Sequence, residues 1–125
     1  MNSTTVVAAI IKKNNSFLIV QRNKDKHLGL KWEFPGGKVE FNESLEEALI
    51  REIKEELNIT INVHNKIGVE KYKDSKINVI LHYFICSFQC GIIKLYEHEN
   101  FIWVEKKDFV KYDFAEGDGN ILALL

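Results

Sequence analysis

Residues 44–57 restrict the fold more than any other part of the chain. Ser44, followed three positions later by Glu47, is a capping box that satisfies two otherwise orphaned backbone donors at a helix start. Leu45, Ala48, Leu49, Ile53 and Leu57 recur at the spacing of one helical face, so the pattern predicts a helix over 44–57 that must bury this stripe. On the opposite side Glu52, Glu55 and Glu56 stand three and four positions apart, where like charges repel by roughly 0.2–0.5 kcal/mol per pair. Stability alone would disfavour that crowding, whereas Mg²⁺, which takes carboxylate oxygens together with waters and substrate phosphates, would use it. By themselves the glutamates, interleaved with Arg51 and Lys54, fit a solvated acidic face at least as well.

The flanking segments read as strands. Residues 4–12 and 16–21 are β-branched and apolar, and Lys13-Asn14-Asn15 between them is a turn sequence, which predicts a hairpin. A long polar loop over 22–36 follows, ending in Phe34-Pro35-Gly36-Gly37, and loops of that length in a compact domain are usually functional. Gly36-Gly37 is expected to form a tight turn whose backbone approaches a ligand closely, with Lys38 beside it and Glu43 at the helix entrance. After the helix, strands are expected at 59–63, 67–72, 77–89 and 101–105, the third buried on both faces. Residues 106–125 are expected to form a short helix or turn, a loop through Gly117-Asp118-Gly119 and a short helical end.

Other functions are narrowed by bulk properties. A chain of 125 residues fits one domain over 1–125. Its net charge of −1 gives no field for a duplex, so an anionic ligand must be gripped locally and no duplex nucleic-acid binding is expected. No apolar run approaches the roughly 20 residues that span a bilayer, and the start has no basic region before Val6–Ile11. The expectation is a cytoplasmic protein without a membrane partner, either monomer or homodimer. Cys86 and Cys90, four residues apart in a strand, would stand ~13 Å apart, which predicts two reduced thiols.

Taken together, Gly37, five residues, Glu43, seven residues, then Arg51-Glu52-Ile53-Lys54-Glu55-Glu56-Leu57-Asn58-Ile59 resembles the Nudix box in full spacing. The one departure is Asn58 where the family has Gly, a helix-ending position that Asn tolerates next best. The resemblance covers nearly the whole chain. It implies an α/β Nudix fold, an α/β/α sandwich around a mixed sheet, and hydrolysis of nucleoside diphosphates linked to another group. By the family's roles Glu52, Glu55 and Glu56 would bind Mg²⁺, with Mn²⁺ as a substitute, Arg51 would orient a glutamate, and Gly36 would lend a carbonyl. Glu97 matches a loop position that supplies a further ligand or the base, against the plainer reading of a surface charge; Glu99 is its nearest substitute. Which carboxylate is the base stays open.

The run from His27 to Lys38 and Gln21-Arg22 resemble the MutT group. Arg22 and Lys38 would then hold phosphates, Phe34 would border the base, and Asp118 would read the base edge, unless it merely serves a glycine-rich turn. An ionised Asp accepts only, favouring an exocyclic amine such as that of cytosine, whereas a protonated one also donates and would suit an oxidised purine. Gly119 stands where the family usually has Pro and is expected to loosen this loop. His64, His82 and His98 read as structural, and Trp103 and residues 83–88 as core. The expected activity is a Mg²⁺-dependent nucleoside triphosphate pyrophosphohydrolase of the pool-sanitising or CTP/dCTP type. Alternatives are hydrolysis of ADP-ribose or dinucleoside polyphosphates, or a catalytically silent nucleotide-binding module, which would have no reason to keep the repelling glutamates.

Overall fold

Ser44 caps the helix as the sequence predicts. Its hydroxyl accepts from the Glu47 N–H at 3.0 Å and the Glu47 carboxylate accepts from the Ser44 N–H at 2.9 Å. In the computed structural model, which describes residues 2–125 apart from the side chain of Glu116, helix α1 runs over Leu45–Leu57. Met1, where the expected domain begins, lies outside the described residues. The helix stops at Asn58, whose φ of 61° is left-handed and whose N–H bonds to the Lys54 carbonyl. Ala48, Leu49, Ile53 and Leu57 are its fully buried residues, and each of the larger ones removes enough apolar surface to contribute roughly 1.5–3 kcal/mol.

Among the described residues the strands are β1 (Thr4–Lys13), β2 (Ser16–Gln21), β3 (Trp32–Glu33), β4 (Gly36–Lys38), β5 (Ile59–Lys73), β6 (Asn78–Gly91) and β7 (Asn100–Glu105), joined in one mixed sheet. β1 runs parallel to β6 from Thr4 to Lys12. Its other edge is shared: Lys12 and Lys13 pair with β2, whereas Val6, Val7 and Ala8 pair with Lys38, Gly37 and Gly36. β2 in turn pairs its Val20 and Gln21 with β3. The β1–β2 hairpin therefore splays open, and residues 32–38 are wedged into the gap, pinned at the tip where the Ala9 N–H bonds to the Pro35 carbonyl at 2.8 Å.

Alternate residues of β1 explain the two core layers. Val7, Ala9 and Ile11 face α1, while Ala8 and Ile10 face Tyr83, Phe34, Phe109 and Ile121 on the other side. That second layer is closed by a 3₁₀ turn over Lys106–Lys111, helix α2 (Glu116–Ile121) and a further 3₁₀ turn over Leu122–Leu124. The result is the expected sandwich around a mixed sheet.

Four expectations are corrected. Strands 59–63 and 67–72 are one strand, because register shifts between Thr60 and Gly68 absorb the polar His64-Asn65-Lys66 without breaking the ladder to β6. Only Tyr83, Phe84 and Cys86 of β6 are fully buried; its first half is half-buried because it borders a cavity. Gly36-Gly37 is not a turn but strand β4. Gly117-Asp118-Gly119 is not a loop: it lies inside α2, where the Gly119 N–H bonds to the Ala115 carbonyl, a bond that Pro could not make. Cys86 and Cys90 are free thiols. No helix among the described residues is long and apolar enough to cross a membrane.

Ser44→Ala should lower stability by about 1 kcal/mol, measured by urea unfolding, because the Glu47 N–H loses its side-chain acceptor while the Ser44 N–H keeps the Glu47 carboxylate.

Candidate active site

A cavity of about 280 Å³ opens beside the wedge and is reached by both helical layers, Glu56 coming from α1 and Asp118 from α2. Its lining falls into two groups by contact. In the charged group Glu56 has Glu52, Glu33 and Glu97 in its field and Gly37 lies against Glu52. In the apolar group Tyr72 and Leu81 lie against Gly117, next to Asp118, whose carboxyl accepts from Phe34.

The charged end follows from how the helix meets β4. A Cβ on Gly37 would overlap the Glu52 carboxylate, and one on Gly36 would overlap the Val7 carbonyl of β1. Gly36 must therefore be glycine, because the β1 backbone leaves no room for a Cβ, and a side chain at 37 would displace the Glu52 carboxylate; both serve close packing and not a turn. Arg51 grips Glu43 through two hydrogen bonds, Nε to Oε2 at 2.6 Å and Nη2 to Oε1 at 2.9 Å, and its Nη2 also reaches the Lys38 carbonyl. Its Nη1 meets Glu52 at 2.9 Å and Glu55 at 3.1 Å. The Arg51 hydrogen bond holds the Glu43 carboxyl below its usual range, and Arg51 itself is driven up chiefly by Glu43.

Glu56 is left outside this network. Its Oε2 is buried with no hydrogen-bond partner. Burial first, then the charges of Glu52 and Glu33, push its carboxyl up to about 8, so near neutrality it holds a proton mainly because it is cut off from water and further because its neighbours are acidic. A divalent cation fits here, since it would give the orphaned oxygen a partner and neutralise the crowding. Among the described residues no three carboxylates, imidazoles or thiols already converge at ligand spacing, because Arg51 draws Glu52 and Glu55 to itself. Mg²⁺ does not need such a cage, as it keeps waters and recruits substrate phosphates.

The other expected residues divide. Gly36, Glu56 and Glu97 line the cavity, Glu52 lies directly beneath Gly37, and Glu55 is largely exposed beside Arg51. Glu97 pairs with Lys26 at 3.0 Å, which holds its carboxyl below the usual range. Lys38 lines the cavity without a carboxylate partner among the described residues, whereas Arg22 is already tied to Glu33 at 2.9 Å. Sequence reasoning missed Glu33, Lys26 and the placement of His98. The Glu33 carboxylate, held by Arg22 on one oxygen and by His98 on the other, borders the cavity beside Glu56. His98 is structural in the sense expected, but it supports the site itself. A signal for Glu33 was present in its position one residue before Phe34, at the mouth of the wedge.

Phe34 is in the second core, its ring 5.7 Å from that of Phe114, and only part of it meets the cavity. Asp118 is 4% exposed, which removes the reading as a turn residue. One of its oxygens accepts from the Phe34 N–H at 2.7 Å and the other from the Tyr83 hydroxyl. Burial, with Glu33 nearby, pushes its carboxyl up to about 7.

Comparison with known proteins agrees with this geometry. The family model for the NUDIX domain matches residues 1–125. A CTP pyrophosphohydrolase of Escherichia coli (strain K12) is 33% identical over 118 residues, 94% of this chain and 87% of that protein. An 8-oxo-dGTP diphosphatase of Buchnera aphidicola subsp. Schizaphis graminum (strain Sg) is 32% identical over 124 residues, 98% of this chain and 92% of that protein. The crystal structure of a MutT protein from Methanosarcina mazei Go1 superposes with a TM-score of 0.88 at 27% identity, covering 98% of this chain and 91% of that one.

The raised Glu56 carboxyl carries a pH signature. Between its ordinary value of 4.5 and about 8 the folded protein binds more protons than the unfolded chain, so this contribution is complete below 4.5 and disappears as pH rises through about 8. In chelator, stability should therefore fall from pH 5 to 8, by at most roughly 1.4 kcal/mol per unit for this group. Glu56→Gln should flatten that slope and leave the share of Asp118, which is lost by about 7. Denaturant titrations across this range measure it.

Proposed function

The chain belongs to the Nudix family, and from that premise we propose that it is a nucleoside triphosphate pyrophosphohydrolase, converting an NTP or dNTP and water into the monophosphate and pyrophosphate. The observation that carries this reading is the cavity lining, with an orphaned carboxylate oxygen of Glu56 in its charged group and apolar residues beside the Asp118 carboxyl in the other. A nucleoside fits the second, and a polyphosphate carrying a divalent cation fits the first.

Mg²⁺, or Mn²⁺ in its place, would be held by Glu52, Glu56 and Glu97 with the Gly36 carbonyl, and by Glu55 once it leaves Arg51. Bound there, the cation would neutralise phosphate charge and acidify an attacking water. The chain's own residues do the rest. Arg51 holds Glu52 under Gly37, so the acidic stripe keeps its geometry against its own repulsion. Lys38 is the cation ready to receive a phosphate, and Arg22 contributes through Glu33, which it fixes at the cavity wall. Glu97, kept ionised beside Lys26, is the carboxylate ready to take a proton from water; Glu56 is ready only when its own proton has gone.

For the base, Asp118 already spends one acceptor site of each oxygen on Phe34 and Tyr83. When Asp118 is ionised, what remains favours an amine-bearing base edge, as on cytosine; when protonated, as its rise to about 7 allows near neutrality, it can also donate to a carbonyl, as on an oxidised purine. The relatives named for CTP and for 8-oxo-dGTP bracket the substrates to compare.

The decisive assay follows pyrophosphate and phosphate release with Mg²⁺ over canonical and oxidised nucleotides, ADP-ribose and diadenosine tetraphosphate. The expected outcome is monophosphate and pyrophosphate in equal amounts from a triphosphate; turnover confined to ADP-ribose or the dinucleotide would overturn the reading. Glu56→Gln should lower turnover by about two orders of magnitude or more while the protein stays folded by circular dichroism. Asp118→Asn, whose amide can meet the Tyr83 hydroxyl, should shift base preference in the same panel more than it lowers the best rate. An unchanged preference removes Asp118 from base recognition.

A further inference from the structure

The apolar end of the cavity is walled by two segments distant in sequence. One is the loop over 22–31 between β2 and β3, which contributes Leu28 and, toward Glu97 at the charged end, Lys26; the other is the turn between β5 and β6 with its flanks, which contributes Tyr72 and Ile77. Between these two pairs of lining residues sit His27 and Asp74, and they touch: His27 Nε2 lies 2.6 Å from Asp74 Oδ2. A carboxylate only accepts, so the imidazole donates.

Asp74 is built to receive it. Its Oδ1 accepts from the N–H groups of Lys76 at 2.7 Å and Ile77 at 2.9 Å, and its Oδ2 also accepts from the Tyr72 hydroxyl at 2.8 Å. The two backbone donors first, then Tyr72 and His27, hold this carboxyl well below the ordinary carboxylate range. Side chains of both partners are about three-quarters covered, 27% exposed for His27 and 25% for Asp74. On the opposite side the loop is tied down by Arg22, whose Nε donates to the His27 carbonyl at 2.8 Å. Leu28 and Leu30 have φ of 59° and 65°, a left-handed backbone that leucine adopts only when its surroundings impose it.

We propose that the His27–Asp74–Tyr72 clasp is a positioning device for the nucleoside half of the substrate. It sets the gap between Leu28 on one wall and Tyr72 and Ile77 on the other, and so the width of the space into which base and sugar enter. His27 and Asp74 do not touch the reacting phosphates in this role; they act through the walls they join. The proposal rests on the nucleotide reading above: the clasp joins His27 to Asp74 and Tyr72, whereas Gly37, Glu52 and Glu56 belong to the contact between helix α1 and β4.

The test uses the full chain with Mg²⁺ and two probes in calorimetry: the monophosphate of the best triphosphate substrate, and inorganic pyrophosphate. His27→Ala and Asp74→Asn should each weaken the monophosphate by about tenfold and raise KM for the triphosphate in parallel, with kcat and pyrophosphate affinity changed less than about threefold. His27→Gln, whose amide places a donor near the position of Nε2, should restore most of the loss, and it serves if Asp74→Asn fails to fold. Unchanged monophosphate affinity in His27→Ala, or equal weakening of both probes, overturns the clasp as a positioning device and leaves the enzymatic reading intact. A parental protein that binds pyrophosphate but hydrolyses no nucleotide overturns the reading beneath it, and the clasp proposal with it.

Discussion

One guanidinium serves too many carboxylates. Arg51 satisfies Glu43 with two short hydrogen bonds, shares its remaining nitrogen between Glu52 and Glu55, and has Glu40 at 3.5 Å. This arrangement holds the helix entrance, the helix and β4 in register, because the same side chain also bonds to the Lys38 carbonyl. Glu56 lies beyond its reach, in contact with Glu52 and in the field of Glu33 and Glu97. The distribution of a single positive charge thus decides which acid stays unneutralised, and that acid faces the cavity. Removing a buried charge's partner is expensive, so a region with surplus acids and an orphaned oxygen is a place where an external cation gains affinity.

The sheet supplies the space. An ordinary hairpin would zip β1 to β2 along its length, leaving no gap. Here the ladder holds only at the turn end, and residues 32–38 enter the opening, β3 on one strand and β4 on the other. That insertion brings Glu33, Phe34, Gly36, Gly37 and Lys38 to one mouth within a few residues of chain. It also requires glycine at 36, where the backbone of β1 leaves no room for a Cβ, and favours it at 37, where a side chain would push the Glu52 carboxylate aside. Asp118 completes the construction from the opposite layer by taking the Phe34 N–H and the Tyr83 hydroxyl, which locks α2 to the wedge at the apolar end.

Local chemistry was legible where its effects are local. The capping box, the apolar face of α1, the left-handed Asn58 and the turn at Asn14 with φ of 56° depend on neighbours within four or five residues, and all stand as read. So does the spacing from Gly37 to Ile59, which identifies the stripe of glutamates before any contact is known. Readings that depended on distant partners fared differently. The glycine pair, expected as a turn close to a ligand, is a strand that packs closely on β1 and the Glu52 carboxylate. Residues 117–119 looked like a loop because glycine disfavours helix; packing of Ile121 and Asp118 against the second core overrides that preference. Glu33 lies inside the run from His27 to Lys38 but nothing local marks its role, and Lys26 carries no periodic or motif signal; their importance comes from Arg22, His98 and Glu97, of which the last two are more than sixty residues away.

The amino-acid sequence alone therefore determined the helix, its caps, its charge stripe and the family's spacing, since each is set by interactions of short range along the chain. Only the tertiary structure decided which carboxylate is orphaned, which cation is already spent, and how two remote segments meet at His27 and Asp74. Those outcomes depend on competition among charged groups for a few partners in a shared low-dielectric space. Such competition is resolved by three-dimensional distance, which linear spacing does not specify.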